Sequence, residues 1–225
     1  MMYNKARNKQ TDGQHDRQRG RLITFEGIDG SGKTTQIAHL SDSLGTAGIH
    51  VITLREPGGT AISEAVRDIL LDLKHTGMFQ ETELLLFAAA RAQLVREVFL
   101  PSLAKGHWII CDRYYDSTMA YQGYGRGLDL QAIRAINALA TDQCRPDMTL
   151  LLDLPAELAA ERMSQRSTAA DRIDQENRDF MRRVRTGYLA IAAEEPERII
   201  RMDAGQAEEA LAQQIHRQIW EGFGI

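Results

Sequence analysis

Gly27-Ile28-Asp29-Gly30-Ser31-Gly32-Lys33-Thr34 matches G-x-x-x-x-G-K-[ST], a phosphate-binding pattern of α/β proteins. Its glycines let successive backbone N–H groups turn inward and form an anion-binding nest. Lys33 supplies a positive charge for the β- and γ-phosphates of a nucleotide, and the Thr34 hydroxyl suits Mg²⁺. These eight residues, together with Thr35, are the predicted nucleoside triphosphate site.

The segments on either side of this loop provide the context that the pattern requires. Leu22–Phe25 is a short apolar run, typical of a β-strand, and it ends just before the glycines. Ile37, Leu40 and Leu44 recur at helical spacing just after the loop. A strand, a glycine loop and a helix in this order favour phosphate binding over the alternative, a glycine turn that binds nothing.

The rest of the chain alternates short apolar runs with longer helical patterns, which is typical of an α/β domain. The runs are apolar almost throughout, as expected of parallel strands covered on both faces. The sequence therefore predicts a doubly wound, five-stranded parallel sheet flanked by helices, of the P-loop NTPase type. The predicted strands are Leu22–Glu26, His50–Arg55, His107–Asp112, Met148–Leu154 and Arg198–Met202.

Amphipathic patterns predict the helices that cover this sheet. In Asp129–Thr141 apolar residues recur every three or four positions, and Leu139 widens the stripe; Ala207–Phe223 repeats the pattern. Leu84–Gln93, which reads LLLFAAARAQ, predicts a further helix. The residues that we expect this helix to bury are Leu84, Leu85, Phe87 and Ala88.

Length and composition indicate one compact domain. The chain has 225 residues, 43% of them apolar and 26% charged, which is ordinary for a globular protein. Its formal net charge of -4 argues against nucleic acid or an anionic membrane as the main partner. The only cysteines, Cys111 and Cys144, do not have the spacing of a zinc site.

The first twenty residues are polar and differ from the rest of the chain. They contain no apolar core of a signal peptide, and no later apolar run reaches the ~20 residues of a membrane span. We therefore predict a disordered extension over residues 1–20, a single domain over residues 21–225, no membrane partner and a cytoplasmic location.

The segment Arg162–Arg172, which reads RMSQRSTAADR, interrupts the alternation. It is rich in arginine, poor in apolar residues, and lies between two helical patterns. A solvated surface loop would explain such a segment. In a chain that binds nucleotides, the same composition suits a small, positively charged lid, and both interpretations stay open at this point.

Residues after the strand Trp108–Cys111 help to separate the classes of P-loop protein. No N-K-x-D string, the guanine reader of GTPases, occurs in the chain, and the strand does not end in the Asp-Glu pair of motor-type ATPases. Asp112 beside the phosphates could hold Mg²⁺ through water. Arg113 offers a planar fork for a second phosphate. This pair favours an enzyme whose acceptor is itself phosphorylated.

Six motifs occur in the order and spacing of bacterial thymidylate kinases: FEGIDGSGKTTQ, LREPGGT, FAAARAQ, DRYYDSTMAYQG, RPDMTLLLDL and DRIDQE. Together they resemble this family from about Arg21 to the C-terminus. The resemblance implies transfer of the γ-phosphate of ATP to dTMP, giving dTDP and ADP in dTTP biosynthesis, with Mg²⁺ as cofactor. It also implies a homodimer, although the apolar helix 84–100 would serve an interface and a core equally well.

The resemblance assigns two arginines to the acceptor phosphate. The arginine of the D-R-Y motif grips this phosphate, and here it is Arg113; the arginine of R-E-P-G-G lies close to it, and here it is Arg55. Both assignments suit the chemistry, because a dianionic acceptor and a tetra-anionic donor repel each other and need cations between them. For Arg55, a surface salt bridge with Glu56 is the alternative.

The resemblance also implies a pocket for the base and sugar. Phe87 stacks on the thymine ring, and Arg91, one helical turn later, donates to its O4 atom. An arginine on this apolar face would be costly without a partner, and a ligand carbonyl would answer that cost. Thr118 and Gln122 match positions near the base edge. Tyr121 matches the ring under the deoxyribose, where it leaves little room for a 2′-hydroxyl.

An acidic residue in the phosphate loop, here Asp29, goes in this family with a catalytic arginine in the lid. The lid-like segment contains Arg162, Arg166 and Arg172. We select Arg166 as the residue that stabilises charge on the transferring group, with Arg162 as the alternative. Asp174 stands where the family often has Glu.

The predicted mechanism is direct in-line transfer, because the acceptor phosphate is already ionised and needs no general base. The predicted catalytic residues are Lys33, Arg113, Arg166 and Asp29, and the predicted metal-binding residues are Thr34 and Asp112. The alternatives are a deoxynucleoside kinase, another monophosphate kinase, or a binding protein that uses the fold without catalysis.

Overall fold

The computed structural model of the protein describes residues 19–165, 171–173 and 176–225. Its central sheet has five strands over these residues: β1 (Leu22–Glu26), β2 (Val51–Arg55), β3 (Trp108–Asp112), β4 (Met148–Asp153) and β5 (Ile199–Asp203). All neighbouring strands are parallel, and their spatial order is β2-β3-β1-β4-β5. The predicted five-stranded parallel sheet is confirmed, and each predicted strand agrees with the observed one to within one residue at either end.

Helices connect the strands and cover the sheet. A π-helical stretch, Val95–Phe99, continues the third helix, and a second one, Met119–Gly125, follows the fifth. The α-helices are α1 (Lys33–Thr46), α2 (Ala61–Leu71), α3 (Gln80–Leu94), α4 (Leu100–Ala104), α5 (Tyr115–Thr118), α6 (Leu130–Thr141), α7 (Ala156–Ser164), α8 (Arg178–Glu194) and α9 (Glu208–Phe223).

Side chains of β1 alternate between the two faces of the sheet, as the period of a strand requires. Ile23 and Phe25 lie in a large apolar cluster to which α1, β4, α8 and α9 contribute. Leu22 lies in a second cluster, together with Leu94 and Phe99. All residues of β1 are buried, which fits its position between β3 and β4.

Two side chains that we expected in buried stripes are exposed instead. Leu85 of α3 is 58% exposed and Leu139 of α6 is 77% exposed, so these two predictions of burial are wrong. The helix α3 packs against both α2 and α6, and Leu85 lies on the part of α3 that remains exposed to solvent. An apolar pattern that surrounds a helix does not show which side faces solvent.

The start of the described chain is packed onto the sheet. Gly20 is buried, and its N–H donates to Leu103 O at 2.9 Å, so this residue belongs to the fold and not to an extension. Arg19 is 3.3 Å from Asp147. The remainder of the predicted extension, residues 1–18, lies outside the described residues. Within the described chain, no helix has the length and apolarity needed to span a membrane.

The carboxyl ends of β1, β2 and β3 meet at one edge of the sheet. Phe25 of β1 and Arg55 of β2 are both in register with Asp112 of β3. In open parallel sheets, ligands bind at this edge, because the loops that follow the strands converge there. The phosphate loop, Glu56 and Arg113 follow these three strands directly, and so they come together at this edge.

Candidate active site

The loop between β1 and α1 has the backbone of an anion-binding turn. Gly27 and Gly30 have φ angles of 135° and 85°, which residues other than glycine rarely adopt. A Cβ atom on Gly30 would lie 2.8 Å from Ala159 O. The helix α1 begins at Lys33, so its N-terminal N–H groups and its positive dipole end point toward the loop.

Lys33 is folded back onto this loop. Its Nζ donates to Gly27 O at 3.1 Å and to Ile28 O at 3.3 Å, and it lies 3.8 Å from an Asp29 oxygen. Burial, and then the nearby positive charge of Arg113, lowers the pKa of Lys33. A phosphate in the loop would supply the negative charge that favours the ammonium form.

Thr34 and Asp112 meet at the mouth of the loop. Thr34 Oγ1 is 3.5 Å from Asp112 Oδ2, whereas Asp112 Oδ1 is buried and has no hydrogen-bond partner among the described residues. A hydroxyl beside a carboxylate oxygen of this kind fits a hydrated Mg²⁺, which commonly takes one or two carboxylates plus phosphate oxygens. In the part of the chain that is described, no three His, Cys, Asp or Glu side chains form a metal-binding cluster.

Arg113 is the most closely held cation of the site. Its Nη2 is 2.7 Å from Asp29 Oδ1, its Nη1 donates to Gly27 O at 3.0 Å, and its guanidinium lies over the ring of Tyr121. The backbone of Arg113 is in the left-handed region, with φ of 70°. Burial, the largest single influence, lowers the pKa of Arg113, but Asp29 and the other surrounding groups, Tyr121, Tyr188 and Asp112, together outweigh burial and raise the pKa well above its usual value.

Two cavities meet at Arg113. The first, of about 190 Å³, is lined by mixed apolar and polar side chains, and the second, of about 130 Å³, lies beside the phosphate loop. The second cavity is lined by Gly30, Gly32, Lys33 and Thr34, whereas Gly27, Ile28, Ser31 and Thr35 of the predicted loop site do not line it. The residues shared by both cavities are Asp29, Glu56, Arg67 and Arg113.

Phe87 and Arg91 both line the first cavity, as residues on one face of a helix should. Arg91 is only 1% exposed; it donates through Nε to Glu56 at 2.7 Å, through Nη1 to Asn137 at 2.9 Å and through Nη2 to Tyr114 O at 3.3 Å. Protein acceptors therefore offset the burial of Arg91, and no ligand carbonyl is needed for that. An arginine has five N–H donors, so two are left for a ligand.

The other predicted acceptor-site residues also surround the first cavity. Thr118, Tyr121 and Gln122 are all buried and line it. The hydroxyl of Tyr121 is 3.4 Å from Asp29 Oδ2, which connects this wall to the phosphate loop. The amide of Gln122 donates to Glu83 at 2.8 Å.

Arg55 lines the second cavity, not the first. Its Nη2 is 2.9 Å from Glu64, and its Nη1 donates to Pro57 O at 2.8 Å. The alternative prediction, a surface salt bridge between Arg55 and Glu56, is wrong, because Glu56 pairs with Arg91 in the interior. Neighbours in sequence at the end of a strand point to opposite sides, and here one points to solvent and the other to the core.

The arginine-rich segment is described at both ends. Arg162 donates to Gly30 O at 3.4 Å and to Ala204 O at 3.0 Å, so it lies against the phosphate loop. Arg172 is 2.6 Å from Glu83 and donates to Leu70 O at 2.8 Å, so it joins the end of the segment to α2 and α3. Arg166 and Asp174 lie outside the described residues.

Sequence reasoning missed three residues of the site. Glu26 is fully buried at the end of β1; burial, and then the charge of Asp116, raises its pKa to about 7. Glu56 is buried beside Arg91, and burial raises its pKa to about 7 as well. Arg67 of α2 donates to Pro57 O at 2.9 Å between the two cavities. Glu26 is the last residue of a strand and Glu56 directly follows one, so an acid at the carboxyl end of a strand was an available signal for both. The sequence around Arg67 contained no such signal.

Comparisons with known proteins agree with this geometry. The family model described as thymidylate kinase matches residues 25–215. The chain is 48% identical over 202 residues to a thymidylate kinase of Alcanivorax borkumensis, covering 90% of this chain and 97% of that protein. It is also 52% identical over 178 residues to a thymidylate kinase of Desulforudis audaxviator, covering 79% and 80% of the two chains. With a phosphate-loop cavity joined through Arg113 to the first cavity, and with matches of this extent, the chain belongs to the thymidylate kinase family.

Proposed function

We propose that this protein transfers the γ-phosphate of ATP to dTMP, giving dTDP and ADP. The observation that carries the proposal is the common wall of the two cavities: the phosphate-loop cavity and the first cavity meet at Asp29 and Arg113. Family membership supports ATP as donor and dTMP as acceptor. Two phosphorylated substrates placed in these cavities would have their phosphates face each other.

The chemistry is in-line transfer without a general base, because an ionised phosphate oxygen of the acceptor is the nucleophile. What the protein must supply is alignment and neutralisation of charge. Lys33 faces the donor phosphates, and Arg113 faces the acceptor phosphate. Arg55 and Arg67 also line the phosphate-loop cavity, so both border the space between the donor and acceptor phosphates. Asp29 holds Arg113 at 2.7 Å, which keeps that guanidinium in place before substrate binds.

The first cavity suits a deoxynucleoside. Phe87 provides an aromatic surface for the base, and the remaining donors of Arg91 are suited to its O4 atom. Thr118, Tyr121 and Gln122 line this cavity. With dTMP bound, Thr118 and Gln122 would contact the base edge, and Tyr121 would lie under the sugar, where its ring disfavours a 2′-hydroxyl.

Charge on the transferring group is stabilised by the arginine-rich segment, for which Arg166 is our candidate. Arg162 is the alternative and already contacts Gly30 O, at 3.4 Å. An Arg166→Ala variant should lose turnover while it retains dTMP binding, and unchanged turnover would leave Arg162 as the candidate.

Mg²⁺ is the cofactor that suits the mouth of the loop. Thr34 and Asp112 would hold it, the latter through the oxygen that has no partner among the described residues. When bound, the ion neutralises charge on the β- and γ-phosphates of ATP.

The protein is proposed to be a cytoplasmic homodimer. Exposed apolar side chains occur on three adjacent helices: Ile62 and Ile69 on α2, Leu85 on α3 and Leu139 on α6. Large apolar side chains exposed on neighbouring helices suit a contact with a second copy of the chain. Leu139→Glu should convert the dimer to a monomer in analytical ultracentrifugation, and a wild-type protein that sediments as a monomer would refute the interface.

The test of function is release of ADP from Mg-ATP with a panel of acceptors: dTMP, dUMP, dCMP, dGMP, AMP, UMP and thymidine. We expect a strong preference for dTMP. Preference for thymidine or another monophosphate would keep the kinase class and refute the assignments of Phe87 and Arg91. ATP binding without transfer to any acceptor would indicate the non-catalytic alternative.

A further inference from the structure

Three oxygen atoms form a triangle against Arg113. Ser117 Oγ is 2.6 Å and Tyr188 Oη 2.9 Å from Glu26 Oε2, and the two hydroxyls are 2.7 Å apart. Arg113 Nη1 lies 3.1 Å from Tyr188 Oη and 3.4 Å from Ser117 Oγ. These residues come from β1, α5 and α8, so the tertiary fold brings them together.

Counting protons shows what the triangle can do. A guanidinium can only donate, so an oxygen that faces Arg113 must accept. Each hydroxyl has one proton, and an ionised Glu26 has none. Two protons therefore serve three contacts: Tyr188 donates to Glu26 Oε2, Ser117 donates either to Glu26 Oε2 or to Tyr188 Oη, and in both arrangements lone pairs of the hydroxyls are left to face Arg113. Glu26 Oε1 meanwhile accepts from Tyr114 N at 2.7 Å, so the orientation of this carboxylate is fixed.

We propose that Glu26 and Tyr188 are positioning residues for Arg113: the carboxylate orients the phenol, and the phenol holds the guanidinium toward the acceptor phosphate. This inference rests on the proposed role of Arg113. Asp29 already holds Nη2 at 2.7 Å, whereas Nη1 contacts Gly27 O at 3.0 Å, Tyr188 Oη at 3.1 Å and Ser117 Oγ at 3.4 Å, so Tyr188 is the nearest side chain at this second nitrogen. Arg113 is thereby held at both terminal nitrogens before substrate arrives.

Holding the guanidinium in advance lowers the entropic cost of binding the acceptor phosphate. Without Tyr188, Nη1 keeps only the Gly27 O contact at 3.0 Å and the longer Ser117 contact at 3.4 Å, so the guanidinium has more freedom that binding must then remove. A guanidinium that Tyr188 also holds loses less freedom when the phosphate arrives. The effect should therefore appear in affinity for an acceptor that has a phosphate and not for one that lacks it.

The first test compares dTMP with thymidine, which lacks the phosphate, by titration calorimetry at pH ~8, above the raised pKa of Glu26. For Tyr188→Phe we expect dTMP affinity to fall about five- to tenfold, the factor carried by one hydrogen bond, while thymidine affinity is unchanged. The matched control is Tyr124→Phe, because Tyr124 packs against Gly187, the residue that precedes Tyr188 on α8, and lines neither cavity. Equal losses for both ligands would overturn the inference, because they indicate a merely structural role.

The second variant is Glu26→Gln, which keeps the shape of the side chain. An amide has one oxygen, so it cannot accept both from Tyr114 N and from the two hydroxyls. We expect the same selective loss of affinity for dTMP. A thermal melt should show that the variant is still folded. Wild-type dTMP affinity in this variant would overturn the role of the carboxylate.

A double-mutant cycle with Arg113→Ala completes the test. If Tyr188 acts through Arg113, then Tyr188→Phe has no further effect on dTMP affinity in the Arg113→Ala background. A full second loss there overturns this inference but leaves the proposed role of Arg113 intact. An Arg113→Ala protein that binds dTMP like wild type overturns both.

Discussion

The donor side and the acceptor side of the site are built in different ways. The donor side is one continuous loop, residues 27–34, whose shape comes from backbone angles at its glycines. The acceptor cavity is made by side chains from many elements, joined by ion pairs between residues far apart in sequence, such as Arg91 with Glu56 at 2.7 Å. Substitutions on the donor side should therefore lower catalysis and spare folding, whereas substitutions on the acceptor side should affect both.

The largest effect should come from Glu56→Ala. It leaves the guanidinium of Arg91, 1% exposed, without its carboxylate, and breaking a buried pair in this way costs about 3–5 kcal/mol of unfolding free energy. Urea unfolding measures this. The control is Glu64→Ala, which removes the exposed partner of Arg55 and should cost no more than about 1 kcal/mol. Equal losses in the two variants would refute the contrast between the two sides.

Lys33→Ala tests the donor side. We expect kcat to fall about a hundred- to thousandfold, as when one preorganised donor is removed from a reacting centre. Unfolding free energy without ligand should hardly change, because burial already lowers the pKa of Lys33 and disfavours its charge. Lys105→Ala, on an exposed lysine, is the control for both measurements. A large loss of stability would show that the donor side also depends on buried charge.

Glu26 predicts a pH dependence of stability at the boundary between the two sides. Burial, then the charge of Asp116, raises its pKa from 4.5 to about 7, so the folded protein keeps a proton that the unfolded chain releases above pH 4.5. The stabilisation that the protonated Glu26 contributes is complete below pH 4.5 and is lost as pH rises through about 7. The free energy of unfolding changes by on the order of 3 kcal/mol over this range. Relative to Glu26→Gln, wild-type unfolding free energy should fall over this range; parallel curves would contradict the prediction.

The smallest effect is expected for Arg67→Ala. Arg67 lines both cavities, and its one hydrogen bond among the described residues is to Pro57 O. Removing a cation that faces the phosphates should lower kcat/KM for dTMP about tenfold, the factor of one charge-assisted hydrogen bond. Arg217→Ala, on α9 and outside both cavities, serves as control. Unchanged kinetics would remove Arg67 from the site.

Much of the architecture was predictable because it follows local rules. The five strands were recognisable as apolar runs, and the phosphate loop as glycines between a strand and a helix. Phe87 and Arg91 were predictably on one side because helical spacing places them there. Each of these predictions depends on residues close together in the chain, so no knowledge of packing was needed.

Long-range pairing could not be predicted in the same way. Arg91 is 35 residues from Glu56 and 46 from Asn137, and Arg55 pairs with Glu64, not with its neighbour. The exposure of Leu85 and Leu139 likewise depended on how α3 packs between α2 and α6. Nothing in the spacing of these residues shows which partners the fold will bring within contact.

By itself, the sequence determined the parallel sheet, the phosphate loop and the family motifs, because backbone preferences and side-chain periodicity act over a few residues. The tertiary structure alone decided which charges are paired inside the acceptor cavity, and that Glu26, Ser117 and Tyr188 converge on Arg113. The physical reason is that a buried charge or hydroxyl takes its properties from the atoms within a few ångströms of it, and those atoms come from distant parts of the chain.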